Sequence, residues 1–206
     1  MQKVLLLSGM ACLVAANASA YMFNPYISAK AKYDFTHDNI KIIGDYEGKV
    51  KVEDEVFGGS VALGMTSPAT TGDFRYEIEY TKNGDAEKNF ANGKIKVKTQ
   101  AVLFNVYYDL NMGANVPFKP YAGIGLGWGH AEFSTPAKKI KDDGVAMQIG
   151  AGLGFRCSQN LVLDLGYRFM TYGDFDETYH VQGRSYQKYE YKPRAHEILL
   201  GARYQF

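Results

Sequence analysis

The sequence predicts an all-β chain: an eight-stranded antiparallel up-and-down barrel that crosses a membrane, with short turns at one end and four long loops at the other. Three observations predict it. Apolar and polar residues alternate with period two along most of the chain, and helical spacing is hard to find. Short and long connections alternate without exception. The two faces of each strand differ in kind, one apolar and ended by aromatics, the other carrying balanced charge.

Eight segments read as strands: about 24–35, 54–66, 73–82, 96–110, 118–132, 145–157, 160–172 and 193–206. Most exceed the ~5–6 residues usual in soluble sheets and suit the ~9–11 of a tilted membrane strand. Three connections are short: "SPATTG" (67–72), "NMGANVP" (111–117) and "SQN" (158–160). Four are long and polar, roughly 36–53, 83–95, 133–144 and 173–192. Tight turns at one end and long loops at the other follow from that order.

The faces decide which way the barrel is turned. The last strand gives Ile198, Leu200, Ala202, Tyr204 and Phe206 against Glu197, Leu199, Gly201, Arg203 and Gln205. The first gives Ile27, Ala29, Ala31, Tyr33 and Phe35 against Ser28, Lys30, Lys32 and Asp34. Phe74, Tyr76, Tyr108, Phe155, Tyr204 and Phe206 gather near the short-turn end of the apolar faces. Tyr33, Phe35, Phe57, Tyr80, Trp128 and Phe169 gather near the other, so the apolar face carries two aromatic girdles. The polar faces hold Lys30, Lys32, Arg75, Arg156, Arg168 and Arg203 with Asp34, Glu77, Glu79, Asp109, Asp164 and Glu197. On a lipid face each Arg or Lys would cost up to ~2–4 kcal/mol at mid-membrane. The charges are therefore expected inside, as a paired network. Asp164 with Arg203 and Arg168 with Glu197 come within reach in one register of the last two strands, allowing a diagonal offset. Tyr107 and Tyr121 are further lumen fillers.

The first twenty residues, "MQKVLLLSGMACLVAANASA", read as a Sec signal peptide. Lys3 is the basic start, Val4 to Ala15 the apolar run, and Ala18-Ser19-Ala20 the cleavage site, with cleavage expected after Ala20. Cys12 invites a lipoprotein reading, but Gly9-Met10-Ala11 lacks the leucine of a lipobox. Residues 21–206 form the barrel, with 22 basic and 22 acidic side chains. That balance excludes a nucleic-acid partner, which needs a basic face. Cys157 is left alone, so no internal disulfide can form. Outside the signal no apolar run approaches the ~20 residues of a membrane helix. The terminal alternation ending in Tyr204 and Phe206 has the form of the signal read by the barrel-assembly machinery.

"FNVYYDL", "PFKPYAGIGLGWGHAEF", "NLVLDLGYRF" and "HEILLGARYQF" resemble the opacity family of Gram-negative outer-membrane proteins, within the OmpA-like and OmpX-like group of eight-stranded barrels. The resemblance covers roughly Gln100 to Thr171 and Lys192 to Phe206, and the first half matches in pattern only. It implies a surface protein embedded in outer-membrane lipid and lipopolysaccharide. Its implied role is an adhesin or antigen whose loops bind a host-cell receptor or glycan, and the family is also described as porin-like. The loops do not match, so no particular receptor is implied.

Other motifs carry less chemistry. Gly123, Gly125, Gly127 and Gly129, with Gly150, Gly152 and Gly154, lack the spacing and the strand-to-helix setting of a nucleotide fingerprint. Facing the lumen, they form a wall without side chains, expected to make room for Lys30, Lys32, Arg75 and their partners. Gly58, Ser60, Ala62 and Gly64 do the same on the second strand. His37, His130, His180 and His196 have no metal-ligand spacing, and no cofactor or metal is expected. A lipid A enzyme would need a rim histidine with a serine and an acid; His130, Glu132 and Ser134 lack the expected His-x-Ser spacing. "PAKKIKDDG" reads as a solvated loop, with contact to lipopolysaccharide phosphates or sulfated glycans as the alternative. "GDFDETYHVQGRSYQKYEY" carries Tyr179, Tyr186, Tyr189 and Tyr191, a composition that suits recognition or extends the outer girdle.

Overall fold

The computed structural model describes residues 23–43, 48–84, 86–90, 93–113, 116–134, 139–172, 175–181, 184–191 and 194–206, with side chains for 23–35, 56–84, 98–113, 116–132, 143–172 and 194–206. The segment read as a signal peptide lies outside them. The described residues form one antiparallel sheet of eleven strands. They are β1 (Asn24–Ile43), β2 (Gly48–Pro68), β3 (Gly72–Asn83), β4 (Ala86–Phe90), β5 (Gly93–Leu110), β6 (Phe118–Ser134), β7 (Lys139–Arg156), β8 (Leu161–Thr171), β9 (Phe175–Val181), β10 (Arg184–Tyr191) and β11 (Arg194–Gln205). Eight of them, β1, β2, β3, β5, β6, β7, β8 and β11, pair with their neighbours in chain order, and β11 closes on β1. The closing register sets Ile27 opposite Tyr204 and Asp34 opposite Glu197. Closure leaves these staves without a free edge in the membrane zone, where an unpaired backbone group would cost several kcal/mol.

The barrel is inside-out. Ile124, Leu126 and Trp128 on β6 are 63%, 57% and 60% exposed, while Glu77, Glu79, Asn105 and Arg168 are buried. At the short-turn end Phe74 meets Tyr108 with ring centres 5.0 Å apart, and Phe118 meets Phe155 at 5.1 Å. At the other end Tyr33 packs on Phe57 at 4.8 Å. Ala69 N–H donates to Gly72 O at 2.8 Å, and Cys157 N–H to Leu161 O at 2.9 Å, closing two of the three turns. Gly113 in the other turn has φ 112°, a left-handed conformation that a Cβ would strain.

The spans expected to be long loops are largely ribbon. β1 and β2 remain paired as far as Ile42 and Gly48, and β6 and β7 as far as Ser134 and Lys139. β4 pairs with the far half of β5, Ala86 opposite Val97. β9 and β10 form a hairpin, and β10 continues β1's pairing where β11 stops, with Ile40 opposite Tyr191 and Ile42 opposite Tyr189. Past the outer girdle the staves thus continue as two four-stranded ribbons, β9-β10-β1-β2 and β4-β5-β6-β7. These spans are rich in polar residues, which reads as loop when composition is weighed and parity is not.

Parity is the key to them, because the sense of the alternation reverses at the girdle. On β5 the outward series runs Phe104 and Val102, both exposed, then Gln100 and Lys98. The inward series runs Asp109, Tyr107 and Asn105, then Leu103 and Ala101, all buried. Leu103 and Ala101 join Ala146, Met170, Tyr172 and Ala195 in a buried apolar cluster. Beyond Lys98 the strand continues in register, with Val97 opposite Ala86, Lys96 opposite Glu87, Ile95 opposite Lys88 and Lys94 opposite Asn89. Outside the membrane the solvent is water again, so apolar residues move inward and charges outward.

Candidate functional site

Three layers of polar side chains fill the membrane-zone lumen. Nearest the short turns, Arg75 Nε lies 3.0 Å from Asp109 Oδ1, and Arg203 bridges Asp109 and Asp164 at 3.2 Å each. The Arg75 guanidinium also stacks over Tyr107 and Tyr121, 4.5 and 4.8 Å from their ring centres. In the middle, Lys30 Nζ lies 2.6 Å from Glu77 and 3.0 Å from Glu79. Asn105 donates to Glu79 at 2.9 Å, Gln148 donates to Asn105 Oδ1 at 3.0 Å, and Tyr26 donates to Glu77 at 3.0 Å. In the outer layer Arg168 joins Glu79, at 2.8 Å, to Glu197, with which it makes a short bond through Nε. Lys32 Nζ lies 3.0 Å from Glu197 and 3.7 Å from Asp34. Tyr172 OH donates to Glu197 at 2.9 Å and lies 3.1 Å from Asn83 Oδ1.

Register explains who meets whom. Arg168 stands directly opposite Glu197 on the β8–β11 ladder, while Asp164 stands opposite Gly201 and reaches Arg203 diagonally. The absence of a side chain at Gly201 helps: a Cβ there would stand 2.9 Å from Lys30 Cγ. Arg156 differs from the other charges assigned to the lumen. It lies at the last position of β7, exposed, with no ion pair among the described residues. At the rim water solvates it at little cost, so nothing draws it to a partner. Neutral members of the network, Tyr26, Thr81, Asn83, Asn105, Gln148 and Tyr172, were not singled out from sequence. Their signal was there in the lumen series they share with the charged residues, but a search by charge passes over amides and phenols.

The glycine wall is occupied, though mostly not by the side chains expected there. A Cβ on Gly123 would overlap the Tyr107 ring, one on Gly125 the Asn105 and Gln148 amides, and one on Gly152 the Tyr121 phenol. Gly150 faces Arg168 Cβ at 2.8 Å, and Gly129 faces the Tyr172 backbone carbonyl at 2.6 Å. At Gly127 the obstruction is the neighbouring backbone of Val102 and Leu103, and Gly154 lies in tight contact range of Asp164 and Arg203. The fillers come chiefly from flanking strands, because a lumen this narrow brings adjacent rows together before opposite walls meet. Lys32 and Lys30 are accommodated elsewhere, over Gly58 and Gly201. One cavity of about 20 Å³ lies among Lys30, Arg75, Tyr107, Tyr121, Gln148 and Arg168, room for about one water.

The other sites read from sequence lie at the outer end. His130 Nδ1 is 2.5 Å from Asp143 Oδ1 on the outward face, and Tyr167 OH is 2.5 Å from His196 Nδ1. Tyr179, Tyr189 and Tyr191 occupy paired positions, opposite Gln187, Glu177 and Phe175, and Tyr186 lies on β10; their side chains lie outside the described ones. Tyr204 is opposite Ile27 and Leu161, and Phe206 N–H donates to Pro25 O at 3.0 Å.

A closed antiparallel barrel with an aromatic-belted apolar wall and an ionised, side-chain-filled lumen defines a transmembrane β-barrel of the bacterial outer-membrane type. The chain belongs to the outer membrane protein beta-barrel domain family, whose model matches residues 4–206, and it is a protein of the bacterial outer membrane. An opacity protein of Neisseria gonorrhoeae is 24% identical over 88% of this chain and 97% of its own length. A second gonococcal opacity protein is 26% identical over 64% of this chain and 62% of its own. Among solved structures, Neisserial surface protein A superposes with a TM-score of 0.55 at 18% identity, covering 88% of this chain and 97% of that one. Outer membrane protein OprG of Pseudomonas aeruginosa superposes with a TM-score of 0.60 at 14% identity, covering 90% and 97%. These two share the fold.

Proposed function

We propose that this chain is a surface-exposed binding protein, an opacity-like adhesin or antigen, in which the barrel is the mount and the extracellular ribbons are the binding element. The observation that carries the reading is the filled lumen. Five cations, Lys30, Lys32, Arg75, Arg168 and Arg203, are interlocked with carboxylates from facing and adjacent strands. The cavity beside Lys30, Arg75 and Arg168 has space for about one water, so these side chains fill the described lumen around it. Material and sequence length are instead invested beyond the girdle, where the ribbons place Tyr179, Tyr186, Tyr189 and Tyr191 on one hairpin. The similarity to gonococcal opacity proteins supports the same role.

The test is adhesion of intact cells expressing the protein to host cells or matrix components, with 36–53 and 173–192 exchanged for unrelated ribbons. Adhesion should be lost with the ribbons and kept when lumen residues are changed conservatively. Adhesion that survives both exchanges would sink the proposal. Porin activity is the competing function, and planar-bilayer recordings separate the two. The filled lumen gives no steady conductance, whereas steady channels altered by Glu77→Gln would favour a pore.

A further inference from the structure

The lipid-facing wall is not smooth. Along β5, β6 and β7, beside β3, it dips into a groove of about 290 Å³ among Phe74, Val106, Tyr108, Ala122, Ile124 and Ile149. Register shows how the dip arises. Tyr108 stands opposite Ala122, and Ala122 opposite Ala151, so two methyl-sized side chains follow an aromatic one along a single row. In the neighbouring row Val106, Ile124 and Ile149 stand side by side, with both isoleucines exposed. Between the rows Gly123 pairs with Gly150, and their bare backbone lines the floor. Inside the barrel the Tyr107 ring packs where a Cβ on Gly123 would stand, and supports that floor from behind. Phe74 and Tyr108 form the flank on the short-turn side, with ring centres 5.0 Å apart, and the Tyr108 hydroxyl is held 2.6 Å from Thr71 Oγ1. The groove is therefore built before anything enters it.

Lining and depth together name the occupant. The side chains on the outer surface of the groove are hydrocarbon except for the Tyr108 hydroxyl, which Thr71 already engages. The backbone of the floor is paired in the β5–β6 and β6–β7 ladders. A polar ligand would be desolvated there without compensation. A second barrel fits badly: its wall is convex and stiff, so it would ride on Phe74, Ile124 and Ile149 and leave the floor empty, forfeiting the contacts of the atoms that line it. A flexible hydrocarbon chain reaches the floor and is touched on three sides, where a convex wall touches it on one. The groove is continuous with the lipid-contacting wall and lies just on the membrane side of the short-turn girdle, and short turns face the periplasm. Its lipid is thus a glycerophospholipid of the inner leaflet, with the headgroup at the level of the girdle aromatics.

We infer that this groove holds one acyl chain of an inner-leaflet phospholipid, kept on the barrel longer than the lipids around it. The test uses the full-length protein extracted from outer membranes, exchanged into lipid-free detergent and weighed intact by native mass spectrometry, with phosphatidylethanolamine added back as probe. The parent should keep a phospholipid through the exchange and take up the probe afterwards. Ala122→Phe sets a ring on the floor of the groove and should lower that occupancy about tenfold. Ala29→Phe, the same change beside Ala202 on the opposite wall, should leave it at the parent's level. Heat-modifiable mobility shows that each variant is folded. A photo-reactive benzoylphenylalanine in place of Ile149, in a chain otherwise unaltered, should capture the retained phospholipid, and one in place of Leu200 should not. Equal occupancy in the parent and Ala122→Phe, an equal loss in Ala29→Phe, or equal capture from the two photo-reactive positions would overturn the assignment. Capture of a second barrel from position 149 would overturn it in favour of a dimer, and retention of lipopolysaccharide in place of phospholipid would overturn its inner-leaflet placement.

Discussion

Along one strand this protein follows two opposite rules. On β5, Asn105 and Leu103 occupy consecutive inward positions and both are fully buried, yet one belongs to a hydrogen-bonded polar network and the other to an apolar cluster. Their outward neighbours change in the opposite sense, from exposed Phe104 and Val102 to Gln100 and Lys98. The backbone is the same sheet throughout. What changes is the solvent, and a sheet places its apolar face against whatever is least like water. The membrane zone keeps its charged groups in by pairing them; the zone beyond the girdle keeps its apolar groups in by packing them.

That contrast can be broken from either side, and the largest effect should come from the polar interior. Arg168→Met leaves Glu79 and Glu197 buried without their shared cation. It should lower unfolding stability by about 3–5 kcal/mol, measured by denaturant titration of the refolded barrel. Next, Leu126→Arg on the lipid face should cost about 2–4 kcal/mol in lipid bilayers, whereas His130→Arg, one step past Trp128 on the same series, should cost under ~1 kcal/mol. Equal costs would mean the boundary is misplaced. Exchanging characters at the switch, Leu103→Asn or Asn105→Leu, should each cost about 1–3 kcal/mol, the first by burying an unmatched amide, the second by removing donors from Glu77 and Glu79. Arg156→Gln should stay within ~0.5 kcal/mol, because that side chain is exposed at the rim.

The membrane-zone fold was legible because a lipid-facing barrel writes its two faces into alternate positions. Strand ends there fall within a few residues of the sequence reading, as with 73–82 against Gly72–Asn83 and 118–132 against Phe118–Ser134. The ribbons were not legible by the same means. "KVKVEDEV" and "KIKVKTQ" alternate as strictly as any stave, but with charges where a membrane strand has aromatics, and so resemble solvated loop. Within the lumen, alternation assigns a face and cannot assign a partner. Glu79 joins Lys30 of β1 to Arg168 of β8, a link across the barrel that no nearest-neighbour register contains. The glycines illustrate the same limit: parity put them on the inner wall, while their occupants, Tyr107, Asn105, Gln148 and Tyr121, depend on strand tilt.

The reversal itself can be measured along β5 by placing single spin labels at successive positions from 94 to 108 in the bilayer-reconstituted protein. Even positions from 102 to 108 should collide with oxygen, a lipid-soluble relaxant, and even positions from 94 to 98 with a water-soluble nickel complex. Odd positions should be shielded from both through the whole span. Oxygen access that continues along the even series to Lys94, or nickel access along the odd series through Leu103 and Asn105, would contradict the account.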